Sequence, residues 1–143
     1  MTSTIRIDSA TTLDEVKVLL ATCGLPTEDI RDDGAFVVAR AGTQVCGTAG
    51  MEAFGAVALL RSVAVHTAWR RKGIADALCG ELMQRARAQG VRRLFLLTTD
   101  AQAYFRRLGF AAIERDSLPA EIRATAQFRD LCPASATAMA RDV

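Results

Sequence analysis

A mixed α/β fold is what this 143-residue sequence predicts: one domain, with a central mixed β-sheet of about six to seven strands flanked by helices on both faces. Three observations carry that expectation. The length suits a single domain, since domains commonly run about 100–200 residues. Half the residues are hydrophobic and 24% are charged, an ordinary globular composition with enough apolar material for a core. Short apolar strands alternate with helical repeats, in the order βα(α)βββαβαβαβ. No internal repeat, low-complexity stretch or proline-rich linker interrupts that order, so residues 1–143 read as one domain.

The elements follow in sequence. Thr4 to Asp8 alternates, with Ile5 and Ile7 on one face, and reads as a first strand. Thr12-Leu13-Asp14-Glu15 matches a capping box, and the helix it opens runs to about Cys23, burying Val16, Leu19 and Leu20 before Gly24 and Pro26 stop it. Thr27 to Ile30 adds a turn. Phe36–Arg40 and Gln44–Glu52 read as strands joined at Ala41-Gly42-Thr43, a hairpin signal. Ala56–Val65 is so apolar that it belongs at the centre, covered on both faces. A helix from Gly73 to about Gln89 keeps Ile74, Ala77, Leu78, Leu82 and Ala86 on one stripe and pairs Glu81 with Arg85 on its exposed side. Leu94–Thr98 is a further strand, Ala101–Leu108 a short helix and Phe110–Glu114 another strand. Pro119–Leu131 is a helix with proline in its first turn, and Thr137–Arg141 is a final edge strand.

Composition also excludes whole classes of function. A net charge of +2 is too small for a general nucleic-acid or membrane-surface binder. The longest apolar run, Ala53–Leu60, is about a third of a membrane span, and the N-terminus lacks the charged and apolar stretches of a secretory signal. Cys23, Cys46, Cys79 and Cys132 are scattered, with no CxxC pair, and read as reduced thiols of a cytoplasmic protein. With a single histidine, His66, neither a multi-histidine nor a Cys/His/His metal site can form, and no metal is expected.

The most informative segment runs Leu60-Arg61-Ser62-Val63-Ala64-Val65-His66-Thr67-Ala68-Trp69-Arg70-Arg71-Lys72-Gly73-Ile74-Ala75. A buried strand leads into a tight basic turn that opens onto a long helix. The first amides of a helix have no internal acceptor, and the helix dipole adds about half a positive charge there. Gly73 lets a phosphate approach with no Cβ in the way. Arg70, Arg71 and Lys72 place three of the 18 positive residues beside that point. Taken alone, such a turn reads as a solvated loop.

The context argues for an anion site, because the chain resembles the GNAT acyl-CoA N-acyltransferase superfamily. That family's signature, [QR]-x-x-G-x-[GA] between the central strand and the next helix, is matched by Arg70, Gly73 and Ala75, with Val63 and Val65 in the strand before. Tyr104-Phe105-Arg106-Arg107-Leu108-Gly109-Phe110 matches a second element, an aromatic helix ending in Leu-Gly-Phe. The resemblance implies acetyl-CoA as co-substrate. The amides of Arg71, Lys72, Gly73, Ile74 and Ala75 would hold the pyrophosphate, and the main chain of Val63, Ala64 and Val65 would pair with pantetheine like an added strand. The strands Ala56–Val65 and Leu94–Thr98 would splay to admit the cofactor, with Phe105 packed against its arm; Phe105 and Phe110 also suit a core.

Acetyl transfer needs the amine neutral, although free primary amines have pKa values of about 10. It also needs stabilisation of the carbonyl oxygen and of the departing thiolate. Glu52, at the end of the neighbouring strand, is the candidate base, or else a solvated strand-end carboxylate. Relatives commonly place a thiolate-protonating tyrosine where this chain has Phe105; Tyr104 lies about 100° away around the helix and is the candidate acid, or else an amphipathic side chain. A thiolate of pKa about 8.5 can leave without full protonation. Arg61 interrupts an apolar strand and needs a partner, either Glu52 or an anionic group of the substrate. Thr98 is a second candidate substrate contact. His66 caps or solvates the turn, and Ser62 has no histidine to activate it.

Three stretches, Ala58–Val65, Leu97-Thr98-Thr99 and Leu131–Ala136, resemble more narrowly the GNAT proteins associated with bacterial arsenic-resistance operons, and acetylglutamate-synthase-type domains share some of these features. The implied acceptor is an amino acid-type amine, including arsenic- or phosphorus-bearing glutamate analogues. A small amine and acetyl-CoA are the expected partners, with a homodimer among the expected assemblies. The rival from another class is a non-catalytic CoA-binding regulatory module.

Overall fold

A computed structural model describes residues 5–25, 27, 30, 35–125, 128, 129 and 135–143. Its elements are β1 (Ile5–Ser9), α1 (Leu13–Thr22), β2 (Ala35–Ala41), β3 (Gln44–Phe54), β4 (Val57–Val65), α2 (Ile74–Ala88), β5 (Arg93–Thr98), α3 (Gln102–Arg107), β6 (Ala111–Ile113), α4 (Ala120–Arg123) and β7 (Thr137–Asp142). The strands form a seven-stranded mixed sheet in the order β1-β2-β3-β4-β5-β7-β6. β1–β2, β2–β3, β5–β7 and β6–β7 pair antiparallel, and β4 and β5 run parallel through Val57↔Arg93, Ala58↔Leu94 and Leu59↔Phe95. The apolar β4 is the middle strand, as its composition predicts.

Two compact units divide the chain: Met1–Glu52 with Arg61–Arg85, and Ala53–Leu60 with Ala86–Val143. In the first, Val16 and Leu20 of α1 pack with Phe36 and Val38 of β2 and Ala64 of β4. The next residue of β2, Ala39, is in register with Gly47, where an added Cβ would meet Ile74 and Leu78 of α2. Adjacent strand residues point to opposite faces, so α1 and α2 cover opposite faces of this part of the sheet. In the second unit, Leu59, Phe95, Ala138 and Ala140 from β4, β5 and β7 pack with Leu118 and with Ile122 of α4.

The capping box holds and is widened: Thr12 Oγ1 accepts from Glu15 N at 3.3 Å, and the Glu15 carboxylate faces the Thr12 amide while its Oε1 also accepts from Thr11 N at 2.9 Å. Two expectations need correction. β7 is not an edge strand, because it pairs with β5 on one side and with β6 on the other. The last helix is not one continuous α-helix: α4 closes at Arg123, and the Thr125 hydroxyl donates to Ile122 O at 2.7 Å and accepts from Phe128 N at 3.2 Å. Helical backbone of π type returns at Phe128 and Arg129, where Arg129 N donates to Thr125 O at 3.0 Å. Its expected end, Leu131, and Cys132 lie outside the described residues, as do two residues of the turn between Thr27 and Ile30, where Ile30 N donates to Thr27 O at 3.3 Å.

Candidate active site

The basic turn is built from the end of β4 upward. His66 N donates to Cys46 O at 2.8 Å, tying the strand end to β3. The His66 ring then caps a short 3-10 turn, Thr67–Trp69, its Nδ1 accepting from Ala68 N at 3.2 Å, as the cap reading anticipates. Arg70 folds back, and its Nε donates to Val65 O at 3.1 Å. The same carbonyl accepts a longer contact from Cys23 Sγ at 3.7 Å. Arg70 therefore braces the turn, while Arg71 and Lys72 stay exposed.

Arg71 and Gly73 both have left-handed backbone, with φ of 64° and 77°. The ladder of α2 begins where Ala77 N donates to Gly73 O at 3.1 Å, so the amides of Ile74, Ala75 and Asp76 lie ahead of it. A Cβ at Gly73 would meet nothing within 4 Å, so the space beside the turn is open. Ile74 itself is buried against Gly47, which anchors the helix start on β3.

Upstream in β4, Arg61 is buried, with a side chain 2% exposed. Its Nη1 donates to Glu52 Oε1 at 3.3 Å and its Nε to Ser62 Oγ at 3.1 Å. Of the two partners the sequence offered, the structure brings Arg61 to Glu52. Glu52 Oε2 is buried and has no hydrogen-bond partner among the described residues. Ser62 is left-handed, with φ of 56°, in the middle of the central strand. A non-glycine residue in that conformation costs about 1–2 kcal/mol, and it breaks the regular alternation of the strand just before Val63, Ala64 and Val65.

Thr98, Tyr104 and Phe105 belong to the second unit. Thr98 is buried and its hydroxyl accepts from Ala101 N at 3.0 Å, so it shapes the entry to α3. Phe105 is buried and stacks edge-on with Phe110, ring centroids 5.8 Å apart, a core contact. Tyr104 is half-buried, 5.1 Å from the Phe105 ring and 5.9 Å from the Arg107 guanidinium. Beyond α3, Gly109 has φ of 94°, and Arg141 Nη1 donates to Leu108 O, holding the helix end against β7. The left-handed Ser62 and the brace made by Arg70 are absent from the sequence reading; no residue type marks the first, and a motif position marks the second without saying what its side chain does.

The acetyltransferase (GNAT) family profile matches residues 7–110. The chain belongs to the GNAT family. Among curated proteins, this GNAT chain is similar to the amino-acid acetyltransferase of Aeromonas salmonicida, 39% identical over 66 residues, which is 46% of this chain and 15% of that protein. The amino-acid acetyltransferase of Pseudomonas fluorescens strain Pf0-1 is 41% identical over 61 residues, 43% of this chain and 14% of that one. The GNAT chain thus aligns with only about one-seventh of the length of these relatives. Among solved structures its fold is similar to N-acetylglutamate synthase from Neisseria gonorrhoeae complexed with coenzyme A and N-acetyl-glutamate, with TM-score 0.82, 18% identity, and coverage of 99% of this chain and 36% of that one. Rv2747 of Mycobacterium tuberculosis, in complex with CoA, gives TM-score 0.78 at 24% identity, covering 96% and 99%.

Proposed function

We propose that this GNAT chain transfers the acetyl group of acetyl-CoA to the primary amine of a small amino acid-like acceptor. The observation that carries the reading is the turn of Arg70–Ala75, where left-handed Arg71 and Gly73 precede the unladdered amides of α2. Such a helix start, with open space where a Gly73 side chain would stand, fits a pyrophosphate. The amino-acid acceptor is supported by what the curated relatives are named for and by the N-acetyl-glutamate bound to the synthase of similar fold.

In this reading the main chain of Val63–Val65 lines the pantetheine. Glu52 takes the proton that the amine loses as its nitrogen bonds to the acetyl carbonyl, and the buried Oε2 is the oxygen with acceptor capacity to spare. The Tyr104 phenol hands a proton to the departing sulfur, Phe105 packs beside the cofactor arm, and Thr98 flanks the acceptor. Reduced thiols at Cys23, Cys46 and Cys79, none in a disulfide, suit a reducing, cytoplasmic setting.

The test is release of CoA thiol from acetyl-CoA with a panel of amines, read together with the mass gain of one acetyl group on the acceptor. The panel includes glutamate and its arsenic- and phosphorus-bearing analogues, the narrower acceptor class implied by the resemblance of Ala58–Val65, Leu97-Thr98-Thr99 and Leu131–Ala136 taken together. Binding of CoA without thiol release for any amine would favour the non-catalytic module.

A further inference from the structure

We propose that Glu52 and Arg61 form a clamp that holds Ser62 in its left-handed conformation, and that this clamp sets the course of the Val63–Val65 main chain. Arg61 and Ser62 are then positioning residues, and Arg61 does not read the acceptor's carboxylate. The inference rests on the reading of Val63–Val65 as the strand that lines CoA.

Three observations support it. Ser62 carries a Cβ, so its φ of 56° is unfavourable unless its surroundings impose it. Arg61 Nε donates to Ser62 Oγ at 3.1 Å. Side chains of successive strand residues ordinarily point to opposite faces, so a bond between neighbours accompanies the turn of the backbone between them. Finally, the guanidinium that makes this bond is fixed at its other end. It is buried, and Nη1 is held by Glu52 Oε1 at 3.3 Å from the adjacent strand β3. The cross-strand ion pair holds the guanidinium in place, and Ser62 Oγ is tethered to it.

Glycine at 62 separates this role from all others, because it adopts a left-handed φ without a side chain to hold it there. Calorimetry with CoA is expected to show Ser62→Ala binding about tenfold more weakly than wild type, with Ser62→Gly close to wild type. Arg61→Met should weaken CoA similarly, and adding Ser62→Gly to Arg61→Met should restore most of the loss. Equal affinities for Ser62→Ala and Ser62→Gly, or no restoration in the double variant, would overturn the clamp. Should Arg61→Met fail to fold, the two Ser62 variants decide alone, since both keep the ion pair.

The amide-to-Hα coupling and the Cβ shift of residue 62, measured by NMR, read φ without CoA. A wild-type chain that binds no CoA would defeat the proposed function, yet loss of the left-handed signature in Arg61→Met would still support the clamp and its persistence would refute it.

Discussion

A side chain at position 73 meets no neighbour but is strained by the left-handed backbone whatever the space, so Gly73→Val is read for CoA affinity beside a thermal midpoint that checks the fold. The φ of 77° strains any branched residue there, and its methyls would stand where the phosphate arrives. Affinity for CoA, measured by calorimetry, is expected to drop tenfold or more, on the order of the left-handed penalty alone; unchanged affinity would remove the turn from the site. Glu52→Gln keeps an oxygen for Arg61 and loses the basicity. It should lower kcat/KM by about a hundredfold, weaken CoA far less than Arg61→Met does, and recover as pH rises toward the amine's own pKa. Tyr104→Phe should cost less in the same thiol-release assay. At position 70 the family pattern admits arginine or glutamine, and the bond from Arg70 Nε to Val65 O explains why: both reach with an N–H donor. Arg70→Gln should therefore keep CoA affinity, and Arg70→Met should lose it.

Packing of α2 on β3 depends on Gly47, where a Cβ would lie 3.0 Å from both Ile74 Cγ2 and Leu78 Cδ1. Gly47→Val should destabilise the fold by about 1–3 kcal/mol and lower the thermal midpoint, the ordinary cost of overpacking. Elements bounded by local chemistry were legible in the sequence: α1 from its cap and apolar stripe, the β2–β3 hairpin from Gly42, α2 from its spacing and Gly90. β7 and α4 were not, for physical reasons. Whether Thr137–Asp142 is an edge depends on which strands bracket it, and β6 arrives from a distant part of the chain. The break after α4 falls at Thr125, whose hydroxyl turns back on Ile122 O inside a segment of otherwise helical composition that is helical again at Phe128 and Arg129. In the site, the basic turn is a contiguous motif and could be read directly. The contact of Arg61 with Glu52 was one of two open choices, and φ at Ser62 is a tertiary outcome with no signal in residue type.

For the molecule as a whole, acid tolerance should depend on Glu15. Burial pushes its carboxyl up, but bonds from Arg40 and the amides of Thr11 and Thr12, with the Arg40 charge, prevail and hold it below the ordinary 4.5. Arg40 reaches both carboxylate oxygens, at 2.7 and 3.3 Å. A depressed folded value means that the unfolded chain binds the proton more readily, so this stabilisation is present above about pH 4.5 and fades as pH falls through the folded value. Glu15→Gln should lower the thermal midpoint near neutral pH by a few degrees and flatten its acid decline; parallel curves for the two proteins would exclude that role. The two compact units, by contrast, bear on how the gene can be cut. The chain passes from one to the other after Glu52, after Leu60 and after Arg85. No single break releases either as a continuous fragment. A product ending at Arg85 would keep Val57 and Leu59 but lack Phe95, Ile122, Ala138 and Ala140, against which they pack, and would carry that apolar surface into solution. A single cut therefore yields two pieces, neither of which coincides with a compact unit.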